Sequence, residues 1–373
     1  LHDALPICIF FAGGGTGGHI YPGIAVAEQI VRIAPATRIH FFCSERPIDA
    51  HVLDTAGFDY TKLPAKGLFL RPGALIEFCR TFWSSQKIAR KIIGKSPDPV
   101  VVGVGGFVAG PVCYAGRKCH VPVKLLNVDI FPGRANRLCA RWADQAFVQF
   151  EEAGQYFARR GLMTEVVGCP LRRSFLEPQP RRAVEALGLE AKKKTLLVTG
   201  ASSGAASVND AVCSLLGKLE VFADTWQIVH VTGTRNLEDV TRRYEGIKIA
   251  HTVVGYYDHM ADLLAVADLL IGRSGAVSVA EYAVAGVPSI CMPYPHHRDR
   301  HQYFNAEKLV DVGAAIVVDD LPDAKDRTEW LWEELEPLMR DDRERARMKT
   351  NCGKIARPDA AREIAEALLS RQG

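Results

Sequence analysis

The chain has 373 residues, 48% of them apolar and 24% charged, and a formal net charge of +3. Its length exceeds the usual single hydrophobic core, so two domains are expected. The small net charge excludes a general nucleic-acid binder, and any basic surface must be local.

Ten cysteines are scattered without a Cys-x-x-Cys pair or a zinc spacing. They read as reduced thiols in apolar runs, which suits a cytoplasmic setting. No signal peptide and no apolar run long enough to span a bilayer are visible. The first methionine is Met163. The natural start is therefore expected to differ from Leu1, and Leu1–Pro6 carry little weight.

Ile7–Phe11 reads as a short buried strand, followed by Gly13-Gly14-Gly15-Thr16-Gly17-Gly18-His19. Pro22 marks the start of a helix, and Ile24, Val26, Ala27 and Ile30 form its apolar stripe. Strand, glycine loop and helix start together make an anion site: glycines admit close backbone approach, and first-turn N–H groups favour negative charge. Gly13, Gly15 and Gly18 also satisfy G-x-G-x-x-G, a weak signal by itself. A dinucleotide fold wants an acid near the end of the next strand, and Glu45 lies later than that spacing. The plain alternative is a tight turn with no ligand. His19, at the rim, is placed to carry a proton from a substrate hydroxyl.

Further strands are expected at Ile39–Cys43, Val100–Val104, Val123–Leu126 and Gln145–Val148. Their alternation with helical patterns predicts a doubly wound parallel sheet. Between them, Lys66–Lys95 interleaves Leu68, Phe69, Phe82 and Trp83 with Lys87, Arg90 and other basic residues. That mixture suits docking on an anionic bilayer surface, and equally a core helix with a solvated basic face. Gly105 and Gly106 lie in a second glycine turn, 103–111, at the same sheet edge. The segment from Asn127 to Asn136 should reach that edge too, with Asp129 as base, hydrogen-bond acceptor or loop cap.

The Gly168–Arg172 motif closes the first domain, 7–167, and the second spans 168–373 with a last helix free to pack back on the first. A strand at Thr195–Thr199 runs into the turn 200–205, a second phosphate device with Ser202 and Ser203 as hydroxyl donors. Strands follow at Gln227–Val231, Ile249–Val254 and Leu269–Ile271. Arg273-Ser274-Gly275 turn the chain into a helix, Ala276–Ala285, closed by Gly286, with Ser274 as its expected N-cap. Glu281 on that helix suits the two hydroxyls of a ribose. Gln302 and Asn305 offer amides to sugar hydroxyls. His296, His297 and His301 lack neighbouring carboxylates in a ligand pattern, so no metal site is expected.

Several motifs stand in one family's order: GGTGGH with Pro22-Gly23, GGFVAGP, G-x-P-x-R at 168–172, S-x-G-A at 202–205, RSGAVSVAE at 273–281, and DR-x-QYFNA at 299–306. From about Ile7 to Val318 the chain resembles the MurG family of bacterial peptidoglycan glycosyltransferases. The resemblance implies two Rossmann-like domains facing a cleft, the GT-B fold. It implies transfer of N-acetylglucosamine, with inversion, from UDP-GlcNAc to the C4 hydroxyl of undecaprenyl-linked lipid I, forming lipid II without a cofactor. Donor contacts would be Thr16, Gly17, Gly18, Arg172, Ser202, Tyr257, the run Ala276, Val277, Ser278, Val279, Ala280 and Glu281, and Gln302. Gly14, Gly15, Gly105, Gly106 and Asn136 would face the acceptor and its phosphates, with His19 or Asp129 as the base. Lys66–Lys95 would dock on the inner face of the plasma membrane, beside other cell-wall synthesis proteins.

The chain departs from the family where His-Glu-Gln-Asn is usual and Leu126-Asn127-Val128-Asp129 stands instead. An extra acid beside a diphosphate repels it unless protonated or paired. The departure keeps open a related transferase with another lipid acceptor, and a UDP-sugar-binding relative with weakened catalysis. A sugar-nucleotide epimerase of the same fold is a further alternative.

Overall fold

Strand Cys8–Ala12 (β1) is apolar and buried along its whole length, which is what the centre of a parallel sheet covered on both faces requires. The computed structural model describes residues 7–14, 17–67, 72–200, 204–297 and 299–370. Gly15, Thr16, Leu68, Phe69, Ser202 and Ser203 lie outside the described residues. The chain divides into two units, Leu1–Arg173 with Arg357–Gly373, and Ser174–Ala356. The division falls just beyond the motif expected to close the first domain.

In the first unit β1 is joined by Arg38–Ser44 (β2), Tyr60–Leu63 (β3), Pro99–Gly103 (β4), Val123–Asn127 (β5), Gln145–Val148 (β6) and Met163–Val166 (β7). All pairs are parallel, in the order β3-β2-β1-β4-β5-β6-β7. The two edge strands, β3 and β7, were not expected. They read Tyr-Thr-Lys-Leu and Met-Thr-Glu-Val and are largely accessible, so they carry no apolar run. One face is filled by the helix Gly106–Lys118 and the inner side of Pro72–Ile93, through Val108, Val112, Ala89 and Ile93. The other takes Tyr21–Ile33 and the terminal helix Ala360–Leu369, whose Ile364, Ala365 and Leu368 share a core with Ile24, Ala27 and Ile30.

The second unit repeats the scheme with Lys194–Thr199 (β8), Trp226–Val231 (β9), Ala250–Val254 (β10), Leu269–Gly272 (β11), Ser289–Cys291 (β12) and Ala315–Val317 (β13). The order is β10-β9-β8-β11-β12-β13, again parallel throughout. β12 and β13 are three residues each, too short for a periodic signal. In both sheets the winding reverses beside the first strand, between β1 and β4 and between β8 and β11. Ligands of open parallel sheets bind at the carboxyl ends of the strands at this reversal. Gly13 and Gly14 after β1, Gly105 and Gly106 after β4, Gly200 after β8 and the Arg273–Gly275 segment after β11 all sit there.

Candidate active site

At the reversal of the first sheet, two glycine turns touch backbone to backbone. A Cβ at Gly106, where φ is +70°, would lie 2.0 Å from the Gly14 carbonyl oxygen. A Cβ at Gly105 would lie 2.7 Å from Cδ2 of His19. No side chain fits at either position, so glycine is required there for close approach. His19 ends a single 3-10 turn, Gly17–His19, ahead of the helix Tyr21–Ile33. Burial pushes its imidazole below the ordinary value, while the charges of Asp129 and, less strongly, Asp49 pull it back up.

Asp49 fixes this turn from below. Its Oδ2 accepts from Ser44 N at 3.2 Å and Ser44 Oγ at 2.5 Å. A Cβ at Gly14 would meet the same Oδ2 at 2.6 Å.

The loop after β5 is held by an amide pair. Asn136 Nδ2 donates to Asn127 Oδ1 at 3.0 Å and Leu126 O at 3.3 Å, and Asn127 Nδ2 donates to Asp129 O at 2.6 Å. Asn136 is buried, and its amide N–H groups serve the loop. The Asp129 carboxylate is half-buried; no described side chain or backbone group donates to it, and it caps no helix. Arg172 stacks its guanidinium 4.3 Å from the centre of the Tyr21 ring.

At the reversal of the second sheet the helix Ala276–Ala285 starts behind Gly275 without a side-chain cap. Here the expectation for Ser274 needs correcting. Its Oγ donates to Gln302 O at 2.8 Å, a tertiary bond, instead of capping the helix. Ala276 and Val279 are buried, whereas Val277, Ser278, Ala280 and Glu281 are half-exposed. Gln302 Oε1 accepts from Tyr294 N at 3.0 Å, which leaves its two amide protons for another acceptor. Asn305 Nδ2 donates to Ser274 O at 3.3 Å. The Tyr257 hydroxyl is buried without a hydrogen-bond partner, and desolvation, then the Asp262 charge, pushes the phenol up. Gly204, at φ +73°, passes so near Thr232 that a Cβ would lie 2.4 Å from its carbonyl oxygen.

Sequence reasoning missed the polar group under this edge. Arg273 is only 6% exposed and donates to Met292 O, Ser207 Oγ and Asp320 Oδ2 at 2.7, 2.9 and 2.8 Å. The signal was present in RSGA, but its partners lie far along the chain. His297 and His301 stack at 4.3 Å, with Asp299 bonded to His301. Among the described residues no group of three or more side chains could hold a metal ion.

The geometry can be set against known proteins. Residues 9–148 match the glycosyltransferase family 28 N-terminal domain, and residues 195–364 its C-terminal domain. The chain belongs to glycosyltransferase family 28. Family 28 membership and the two Rossmann-like units support sugar transfer as the enzymatic activity.

A relative from Anaeromyxobacter dehalogenans (strain 2CP-1 / ATCC BAA-258) is 36% identical over 96% of this chain and 91% of its own length. One from Geobacter metallireducens is 35% identical, over 97% and 98%. Both carry the name UDP-N-acetylglucosamine–N-acetylmuramyl-(pentapeptide) pyrophosphoryl-undecaprenol N-acetylglucosamine transferase. MurG from Acinetobacter baumannii superposes with a TM-score of 0.73 at 23% identity, over 97% of this chain and 99% of that one. A UDP-GlcNAc 2-epimerase from Neisseria meningitidis reaches 0.69 at 12% identity, over 98% and 99%. Those two likenesses establish the fold alone, so sequence, not shape, separates the family 28 chain from the epimerases.

Proposed function

We propose that this family 28 protein moves N-acetylglucosamine from UDP-GlcNAc to the C4 hydroxyl of the muramoyl sugar of lipid I, forming lipid II and UDP. The observation that carries the reading is the end-to-end match, at 35–36% identity, to transferases named for that reaction. The second unit takes the donor. Glu281 accepts the two ribose hydroxyls, Gln302 offers its amide to the sugar, and the Tyr257 segment meets uracil. First-turn N–H groups from Ala276 onward and the 200–205 turn stabilise the diphosphate. Arg172 adds positive charge for the leaving group.

The first unit supplies the base and holds the acceptor along the glycine turns. The acceptor oxygen forms a bond to C1 as the C1–phosphate oxygen bond breaks, and the electron pair leaves on UDP. The hydroxyl proton passes to His19. Burial keeps that imidazole neutral near pH 7, so its lone pair is available, and Asp129 stabilises the imidazolium once formed. The reaction as written inverts C1 and needs no metal.

The helix Pro72–Ile93 is the proposed bilayer contact. Leu75, Ile76 and Trp83 are 54%, 74% and 50% exposed, and Lys87 and Arg90 are exposed beside them. Phe82 is half-buried against Trp83 and Tyr114. Apolar residues next to basic ones favour shallow docking on anionic lipid. Among the described residues no helix is long and apolar enough to cross a membrane. We therefore place the protein at the inner surface of the bacterial plasma membrane, where nucleotide donor and lipid acceptor meet.

The test is transfer from labelled UDP-GlcNAc to a lipid I analogue, with the product identified as the disaccharide lipid. The Asn127–Asp129 arrangement favours a second reading, in which the same donor goes to another lipid acceptor. Donor binding without transfer to lipid I, but with transfer to a different polyprenyl glycolipid, would select it. Conversion of the donor alone would point to an epimerase.

A further inference from the structure

Four segments at the carboxyl edge of the second sheet meet on one guanidinium. Arg273 ends β11. It reaches Met292 after β12, Ser207 in the first turn of the helix Ala206–Ser214, and Asp320 after β13. Ser207 Oγ also donates to Asp320 Oδ2 at 2.6 Å. The other carboxylate oxygen, Oδ1, faces Nη1 of Arg327 at 3.5 Å, and that same Nη1 donates to Leu321 O at 2.9 Å. Arg273, Asp320 and Arg327 are 6%, 9% and 7% exposed. The ring of Tyr294 lies 5.6 Å from the Arg273 guanidinium.

Among the described residues, Asp320 is the only carboxylate paired with either arginine. Within ion-pair distance two buried guanidiniums share one buried carboxylate, and the further acid that feels Arg327, Asp323, is an exposed helix cap. Burying a guanidinium is unfavourable unless a counter-charge accompanies it. The group lies beneath the first turn of Ala206–Ser214, and the Arg273 carbonyl also accepts from Tyr282 of the neighbouring helix at 2.9 Å. Both helix starts flank the sheet reversal, where an anionic ligand is expected.

We propose that Arg273, held by Asp320 and Ser207, is a positioning residue for the donor diphosphate, and that the second buried guanidinium, Arg327, biases this edge toward anions. Arg273 acts through Ser207, which ties down the start of the helix Ala206–Ser214, and through its field. This rests on the reading that the second unit binds a UDP-sugar.

The decisive variant is Arg327→Met. It removes the Arg327 charge and leaves the Arg273–Asp320 pair intact; because the Leu321 carbonyl loses its donor, thermal unfolding is measured beside binding to separate a folding defect from a charge effect. Calorimetry on the full chain would measure UDP directly and uridine by displacement. An unscreened unit charge acting across a turn of chain is worth roughly tenfold in affinity. UDP binding is expected to weaken roughly tenfold in Arg327→Met, with uridine changed less than about twofold. The KM for UDP-GlcNAc should rise in step while kcat moves little. Arg273→Lys keeps the charge but loses the fork, and should weaken UDP less than Arg273→Met does.

Equal losses for UDP and uridine, or unchanged UDP binding in Arg327→Met, would overturn the proposal alone. A wild-type chain that binds no UDP would overturn the donor reading, and the proposal with it.

Discussion

His230 offers the sharpest quantitative check on how the second sheet is built. It is fully buried on β9, and its two ring nitrogens each face a partner at 3.0 Å, Nδ1 to the Tyr244 hydroxyl and Nε2 to Asn209 Oδ1. Asn209 Nδ2 donates to Thr232 O at 2.9 Å, so its oxygen is the atom turned to the imidazole. Nε2 must then carry the proton, and Nδ1 accepts from Tyr244. The ring is satisfied only while neutral. Burial, and secondarily the Arg243 charge, lowers its pKa from 6.5 to about 3.

Because the folded pKa is depressed, the unfolded chain binds a proton below pH 6.5 that the folded chain refuses until near pH 3. Stability contributed by this group is therefore complete above pH 6.5 and falls with pH across that window, by about 1.4 kcal/mol per unit. Between pH 7 and pH 5 the loss comes to about 2 kcal/mol. Hydrogen exchange of the β9 amides at the two pH values would measure it, in wild type and in His230→Gln. The glutamine variant should be less stable at pH 7 but should show a shallower pH dependence, by about 2 kcal/mol over this range. Identical pH slopes in the two proteins would refute the assignment of a neutral, uncompensated imidazole in the second sheet.

His19→Ala should lower kcat by roughly 10²- to 10⁴-fold with UDP affinity nearly unchanged, since a general base acts in the chemical step; steady-state kinetics beside UDP calorimetry checks this. Since burial lowers the His19 pKa, the acid limb of the wild-type kcat/KM profile should lie below pH 6.5, because the base works only when unprotonated. A limb above that value would remove His19 as the base. Glu281→Ala should weaken UDP by roughly tenfold or more, the size of lost hydrogen bonds to a charged group, and 2′,3′-dideoxy-UDP should not distinguish the variant from wild type. Trp83→Ser with Lys87→Glu should reduce co-sedimentation with anionic vesicles severalfold, while turnover on a short-chain soluble acceptor stays the same. Turnover falling equally on both acceptors would mean that this helix has a role other than docking.

The central strands were legible because each holds a short apolar run, and β1, β4 and β8 run on into glycines; burial on both faces demands that composition. β3 and β7 were hidden because edge strands have fewer covered faces and keep residues such as Lys62 and Glu165. The glycine turns were legible because the glycines themselves are clustered in the sequence, although what requires Gly105 and Gly106 is a close approach to His19 and Gly14, far back in the chain. Ser274 was misread. Its local pattern fits an N-cap, but a carbonyl 28 residues away claims the hydroxyl. Arg273 was illegible as a bridge because Ser207 and Asp320 lie 66 and 47 residues from it. Local chemistry writes itself into short motifs; a buried network assembled from four strand ends does not.

The two sheets share one winding, yet what lies beneath each reversal differs in charge, and that difference fits opposite chemical demands. Under the first, Asp49 accepts from Ser44 close to Gly14, and the imidazole of His19, beside the Asp129 carboxylate, is one that burial pushes toward its neutral form. A base must be neutral to take a proton. Under the second, two buried arginines share one buried aspartate. A leaving diphosphate gains charge as its bond breaks and is stabilised by positive charge already fixed in place. Exchanging the two environments would disable both steps: a cationic surround would depress the base further, and a neutral one would leave the departing phosphate without support. Under the proposed reaction, the polarity of each edge, set by residues no motif records, is what leaving-group stabilisation by the second unit and proton acceptance by the first would require.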